Sequence, residues 1–141
     1  MSMHKKNIVT AGKPLNKESK VLIMVHGRGG GAEDILSMSA YLDVKPYTLL
    51  APQATNNTWY PYSFLAPPAQ NEPWLSSALA LLKEMVDELY SKGIPSQEIY
   101  FMGYGFQIYL WKELRIMKSG LYFVHIIVLD YIMFIVKNLI N

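Results

Sequence analysis

Short apolar runs that stop at glycine or proline punctuate the first hundred residues. The run at 21–25 ends at a glycine-rich segment, the run at 47–51 ends at a proline, and the segment 98–102 ends at a glycine. Runs of this length that are bounded by turn residues are typical of buried strands in a parallel sheet. A shorter run at 8–11 predicts an edge strand ahead of them.

The segments between these runs carry apolar residues at helical spacing. The segment 34–42 opens with an acidic residue, which suits a helix N-terminus, and its apolar positions recur every three or four residues. The segment from Pro73 to Gly93 has the clearest stripe, formed by Leu75, Leu79, Leu82, Val86 and Leu89. A further helix is predicted over 108–118. Strands that alternate with helices predict an α/β protein, with a parallel or mixed sheet flanked by helices.

The turn after the first buried strand, residues 26–32 and hereafter the glycine turn, is the first candidate site. Its sequence His-Gly-Arg-Gly-Gly-Gly-Ala lets backbone N–H groups point outward. Such a turn before a helix receives an anion, either a phosphate or the oxyanion of an acyl transfer. The pattern fits a G-x-G-x-x-A dinucleotide fingerprint, but Asp43 comes too early to serve as the ribose-binding acid. Three interpretations stay open: a turn that donates to an oxyanion, a turn that only joins two packed elements, and the dinucleotide-binding turn that the position of Asp43 disfavours.

Composition narrows the class of protein. The chain has 141 residues, which suits one domain with a sizeable core, and its 51% hydrophobic and 17% charged residues are those of a folded protein. A net charge of +2 without a basic stripe argues against nucleic-acid binding. The absence of cysteine excludes disulfides, thiolate metal sites and cysteine catalysis. The N-terminal apolar stretch is too short for a secretory signal, so we expect a cytoplasmic protein.

The segment 52–73, hereafter the aromatic loop, is longer than ordinary connections between elements. It carries Trp59, Tyr60, Tyr62 and Phe64 close to prolines. Aromatic side chains of this kind line ligand pockets, and the alternative is that they cover one face of the sheet. We favour the pocket.

A second strand–turn–helix unit spans 99–118, with glycines at positions 103 and 105. This is the geometry of a nucleophile elbow, in which glycines relieve crowding around a strained serine in Gly-x-Ser-x-Gly. The order of the elements and three sequence blocks then resemble the phospholipase/carboxylesterase family of α/β-hydrolases, which includes the acyl-protein thioesterases. The blocks are Val-His-Gly-Arg-Gly-Gly at 25–30, Leu-Ala-Pro-Gln-Ala at 50–54 and Thr-Trp-Tyr-Pro-Tyr-Ser-Phe at 58–64.

The resemblance, which covers about residues 20–103, implies a reaction and a set of roles. A serine attacks an ester or thioester carbonyl, a histidine is the base, and two backbone N–H groups hold the oxyanion, with no metal and no cofactor. The two oxyanion donors would be the N–H groups of Arg28 and Phe106. The residues that shape the turn would be His26, Gly27 and Gly29, with His26 structural rather than catalytic. The residues that line the substrate pocket would be Trp59, Tyr60 and Phe64.

The resemblance to the family ends at the position of the catalytic serine. Gly105 stands at the expected nucleophile position and Gln107 at that of the closing glycine, and no Gly-x-Ser-x-Gly occurs in the sequence. Glycine has no side chain that can attack a carbonyl. The later blocks that supply the acid and the base in this family are also missing. We therefore expect no intact catalytic residue in this chain.

Residues 108–141, hereafter the apolar tail, differ in composition from residues 1–107. They contain no alanine and no proline, and about two-thirds of them are apolar. The run at 121–136 predicts a buried strand followed by a helix. His125 and Asp130 interrupt the run, which disfavours a membrane span or membrane contact. We divide the chain into the N-terminal part of an α/β-hydrolase domain, 1–107, and a divergent tail that is truncated or out of frame, 108–141.

The sequence thus predicts a truncated or frameshifted, inactive copy of a serine ester hydrolase. Its parent substrates would be small esters, thioesters or acyl lipids. The alternative is a non-catalytic relative that binds acyl chains or lipid. Lost strands would expose a sheet edge and apolar surface, so we expect self-association.

Overall fold

The computed structural model describes residues 3–63, 65–104, 122–129 and 132–138. Two α-helices lie in these ranges: α1 is Ala32–Ser37, continued by a 3₁₀ turn at Met38–Tyr41, and α2 is Trp74–Ser91. The strands are β1 Ile8–Gly12, β2 Lys20–Val25, β3 Tyr47–Pro52, β4 Ile99–Tyr104, β5 Tyr122–Leu129 and β6 Ile132–Asn138. The elements predicted in the first hundred residues are confirmed, with shifts of a few residues at their ends.

The strands form one mixed sheet in the order β1-β3-β2-β4-β5-β6. The central strand β2 is parallel to β3 on one side and to β4 on the other, and β5 is parallel to β4. The outer strands β1 and β6 are antiparallel to their neighbours. The predicted α/β class with a mixed sheet is therefore confirmed.

The strands bury both faces of the sheet because a helix packs on each side. In β2, Val21, Ile23 and Val25 join the cluster that contains α2. The alternate residues Leu22 and Met24 join the cluster that contains α1. Successive side chains of a strand point to opposite faces of the sheet, and here both faces are buried. The strand is therefore a continuous apolar run rather than an alternation of apolar and polar residues.

Helix α1 begins earlier and ends sooner than the predicted segment 34–42. It begins at Ala32 because the extended Gly31 precedes it and donates its N–H to the Asp34 carboxylate, at 2.7 Å. This carboxylate also suits the positive end of the helix. The last predicted turn continues after Ser37 as a 3₁₀ helix.

Helix α2 has the buried stripe that the sequence predicts, with Leu79 only partly buried. It ends at glycine for a geometric reason. Gly93 has a φ of +86° and its N–H donates to the Tyr90 carbonyl at 3.0 Å, while the Ile94 N–H reaches the Leu89 carbonyl at 3.1 Å. This pair of bonds is a Schellman motif, and the buried Ile94 and Leu89 make its apolar contact.

One strand end is shifted and one expectation is wrong. The strand predicted to end at residue 102 continues to Tyr104, and Gly103 within it lies opposite Val25 of β2. The run at 121–136 is not a strand followed by a helix, because β5 and β6 pair as antiparallel strands. The run is rich in β-branched and aromatic residues, which favour strands once a neighbouring strand is available.

The helix predicted over 108–118 lies outside the described residues. No helix in the described ranges is both long and apolar enough to cross a membrane.

Candidate functional site

The glycine turn lies at the carboxyl end of β2, in the middle of the sheet. The last residue of β2, Val25, is opposite Gly103 of β4, so the two strands end side by side. Ligands of open α/β sheets bind at the carboxyl ends of parallel strands. The structure therefore brings the glycine turn beside the carboxyl end of β4, after which the sequence continues to Gly105 and Phe106. These two residues lie outside the described ranges, and their roles stay predictions.

His26 fixes the start of the glycine turn. Its side chain is buried, its Nε2 accepts the Ala54 N–H at 3.0 Å, and its Nδ1 lies 2.8 Å from the Gly27 carbonyl. Because Nε2 accepts, the ring proton is on Nδ1 and is donated to Gly27. Burial lowers the pKa of His26, opposed by the bond to Gly27 and by the charge of Asp34. A neutral histidine that uses both nitrogens for backbone groups suits the predicted structural role.

Most amides of the glycine turn have acceptors. The Gly29 N–H donates to the Asn57 carbonyl at 2.8 Å, the Gly30 N–H to the Gly27 carbonyl at 3.2 Å, and the Ala32 N–H to Gln53 Oε1 at 2.8 Å. The Gly31 N–H donates to the Asp34 carboxylate at the start of α1.

The Arg28 N–H differs from these amides. Neither it nor the Gly27 N–H before it has an acceptor among the residues that the structure describes. The Arg28 N–H is one of the two backbone donors that the family resemblance implies for an oxyanion hole, and an oxyanion hole needs such a donor ready for the reacting oxygen.

The Arg28 side chain ties the glycine turn to the aromatic loop. Its two terminal nitrogens donate to the carbonyls of Pro61, at 2.8 Å, and Tyr62, at 2.6 Å. The guanidinium also lies over the Tyr60 ring, 5.8 Å from its centroid. Sequence reasoning used only the backbone of Arg28 and missed this clamp, since the partners are more than thirty residues away.

Trp59 and Tyr60 pack in the main core, in the cluster that contains α2. Trp59 is 2% exposed and donates its indole N–H to the His26 carbonyl at 2.9 Å. The rings of Trp59 and His26 are 5.2 Å apart. Phe64 lies outside the described residues. The contacts of Trp59 and Tyr60 are those of residues that cover the sheet, and the lining of a substrate pocket stays a prediction.

Sequence reasoning missed two further parts of the site. Gln53 joins the aromatic loop to the glycine turn, because its Oε1 accepts from Ala32 and its Nε2 donates to Asn57 Oδ1 at 2.9 Å. His4 is buried against Trp59, although the sequence marks the N-terminus only as basic. Within the described ranges, no group of three or more histidine and carboxylate side chains is placed to hold a metal ion.

A comparison with solved structures supports this fold. The structure of a phospholipase/carboxylesterase from Dyadobacter fermentans DSM 18053 matches with 47% sequence identity and a TM-score of 0.75, over 82% of this chain and 55% of that chain. The chain resembles a phospholipase/carboxylesterase. The resemblance predicted from the glycine turn and the aromatic loop is confirmed, as is the α/β-hydrolase type of fold. The chain spans about 55% of the length of that phospholipase/carboxylesterase.

The structure of esterase PE8 matches with 15% identity and a TM-score of 0.54, over 76% of this chain and 56% of that one. At this identity the match shows the fold alone. No protein-family model and no curated protein matches the sequence.

Proposed function

We propose that the described residues form the oxyanion-binding half of a serine ester hydrolase site, in a chain that does not supply the nucleophile. The observation that carries the proposal is the Arg28 N–H, which has no acceptor in the described ranges and lies at the carboxyl end of the central strand. The similarity to a phospholipase/carboxylesterase supports esters as the class of substrate.

The chemistry follows from that donor. When a serine oxygen attacks the carbonyl carbon of an ester, the C=O electrons move to the oxygen and form an oxyanion. The Arg28 N–H and a second amide, after the nucleophile, would hold this oxyanion. One such donor changes kcat by about 10²–10³ in comparable sites, because it needs no reorganisation during the reaction. The glycine turn is held for this task by His26 and Gln53.

We propose that the chain does not hydrolyse esters, because residue 105, at the expected position of the nucleophile, has no reactive side chain. This position holds glycine, and the sequence has no Gly-x-Ser-x-Gly. The composition changes within a few residues of it, since the apolar tail has neither alanine nor proline. We propose that the encoding gene changes reading frame between codons 103 and 108. A gene of this kind keeps the glycine turn and the aromatic loop and loses the serine.

The experiment has two arms. The purified chain is incubated with p-nitrophenyl butyrate and with a fluorophosphonate probe, and the Dyadobacter fermentans protein serves as the positive control. We expect no hydrolysis above background and no labelling of this chain. Labelling would contradict the absence of a nucleophile.

The second arm is the DNA. We expect another reading frame to continue after codon 103 with a Ser-x-Gly block and later blocks for the acid and the base. A chain with the restored frame should then hydrolyse the ester and take the probe. If no frame supplies these blocks, the frame change is wrong and a non-catalytic acyl-binding relative is favoured. Quenching of tryptophan fluorescence by a fatty acid is then the decisive measurement.

A further inference from the structure

The N-terminal segment is tied into the molecule close to the site. The amides of Met3 and His4 both donate to the Ser77 hydroxyl of α2, at 3.0 and 2.8 Å. Thr55 of the aromatic loop donates its hydroxyl to the Met3 carbonyl at 3.3 Å. Two residues later, Lys6 pairs with Glu88 on α2. A segment with this many partners has a fixed position in the folded chain.

His4 is the centre of this contact and is only 2% exposed. Its Nδ1 accepts the Thr55 N–H at 3.2 Å, and its Nε2 lies 2.8 Å from the Trp59 carbonyl. Because Nδ1 accepts, Nε2 carries the proton and donates to Trp59. The ring packs between Trp59 and Trp74, with both ring centroids 5.2 Å away. His4 therefore fixes both the backbone and the indole of Trp59.

A continuous set of bonds runs from His4 to the glycine turn. His4 donates to the Trp59 carbonyl, and the Trp59 indole donates to the His26 carbonyl at 2.9 Å. His26 in turn donates to the Gly27 carbonyl, which belongs to the residue before Arg28. A displacement of Trp59 would therefore also displace the peptide group that carries the Arg28 N–H.

We propose that His4 is a positioning residue, which fixes Trp59 and through it the glycine turn. Any effect of His4 on ester hydrolysis rests on the proposed function above. The positioning of Trp59 by His4 does not depend on that function. His4 would be needed because the aromatic loop has little regular structure and relies on side-chain bonds for its position. The groups that contact His4 directly, Ser77, Trp74 and Thr55, are uncharged. The charge of Asp34 acts on His26 at the other end of the path.

Two variants separate the two bonds of the ring. His4→Gln places an amide nitrogen near the position of Nε2, so it keeps the donor to Trp59 and loses the acceptor for Thr55. His4→Asn places an oxygen near the position of Nδ1, so it keeps the acceptor and loses the donor. Each variant removes one hydrogen bond, so a general loss of stability would affect them alike.

The readout is the indole N–H of Trp59 in ¹⁵N-tryptophan-labelled protein. Its signal is assigned by its disappearance in Trp59→Phe. In His4→Asn we expect the signal to shift and its hydrogen exchange to accelerate about fivefold, the factor given by one net hydrogen bond of about 1 kcal/mol. In His4→Gln we expect the signal to stay close to that of the parent chain. The urea midpoint of both variants measures the general loss of stability.

Equal changes in both variants, or no change in His4→Asn, would overturn the proposal. The outcome is independent of the ester assay, because the readout needs no turnover. If the restored-frame protein shows no esterase activity while the two variants still differ, the proposed function fails and His4 remains a positioning residue. If that protein is active and the two variants have the same kcat and the same indole signal, the inference about His4 fails alone.

Discussion

At the scale of single residues, the site is organised by two buried histidines in opposite tautomers. His26 carries its proton on Nδ1 and His4 on Nε2, because in each ring the other nitrogen accepts a backbone N–H. Protonation of either ring would put a second proton against that N–H. Burial is also the main reason why the pKa of each ring is lowered. Both side chains thus act as rigid, neutral connectors between loops.

This arrangement predicts that acid weakens the fold in a defined range. The pKa of His4 and His26 lies below the ordinary value of about 6.5, so the unfolded chain binds more protons at slightly acidic pH. Their contribution to stability is complete above that value and is lost as the pH falls towards their folded pKa values. We expect the urea midpoint to fall from about pH 7.5 to about pH 5.5, above the range where most carboxylates titrate.

The control for this prediction is His4→Gln, which removes one of the two titrating rings. Its urea midpoint should depend less steeply on pH than that of the parent chain, measured in the same buffers. A midpoint that rises towards acid, or a slope that is unchanged in the variant, would contradict the assignment.

At the scale of elements, α2 covers one face of the sheet and carries no chemistry. Leu82 is fully buried in the cluster with Val21 and Phe101, whereas Leu79 only borders that cluster. The ion pair of Lys83 with Asp87 lies on the outer face, where such pairs contribute little. The helix therefore holds its place by packing and by its Schellman end.

The packing of α2 predicts unequal costs for two matched truncations. Leu82→Ala should lower the free energy of unfolding by about 2–5 kcal/mol, because it leaves a cavity in a closed core. Leu79→Ala should cost about half of that or less, because its side chain is already partly in water. Urea denaturation followed by circular dichroism measures both. Equal losses would show that the stripe is not oriented as described.

At the scale of the whole molecule, the sheet is buried at β2 and open at its β1 edge. In β2 the five residues after Lys20 are buried, whereas Thr10, Ala11 and Gly12 of β1 are exposed. β2 also pairs with strands on both sides, whereas β1 pairs with β3 alone. The glycine turn is attached to a strand that is buried and paired on both sides, which holds the start of the turn in place.

This gradient predicts the order of amide hydrogen exchange. Peptides from β2 and the first five residues of β4 should exchange at close to the rate of global unfolding, and peptides from β1 should exchange faster through local opening. Mass spectrometry of pepsin fragments measures the difference. Uniform protection across the sheet would mean that β1 opens only with the whole fold.

Much of the fold was predictable because its signals are local. The strands at 21–25 and 47–51, and the stripe of α2, are patterns of neighbouring residues, and all of them are confirmed. The start of α1 could not be read from the sequence, because Gly31 and Asp34 form a cap that only the folded turn shows. The strand at 132–138 could not be read from it either, because a strand there depends on pairing with β5.

By itself, the sequence determined the order of strands, turns and helices in the first hundred residues, the α/β class, the glycine turn and the absence of a serine motif, since each depends on residue types at short spacing. Only the tertiary structure decided how the turn is held. His4 meets Trp59 across 55 positions of sequence, and Arg28 meets Pro61 across 33. Such bonds leave no periodic pattern in the sequence, because they form only after the core has brought distant loops together.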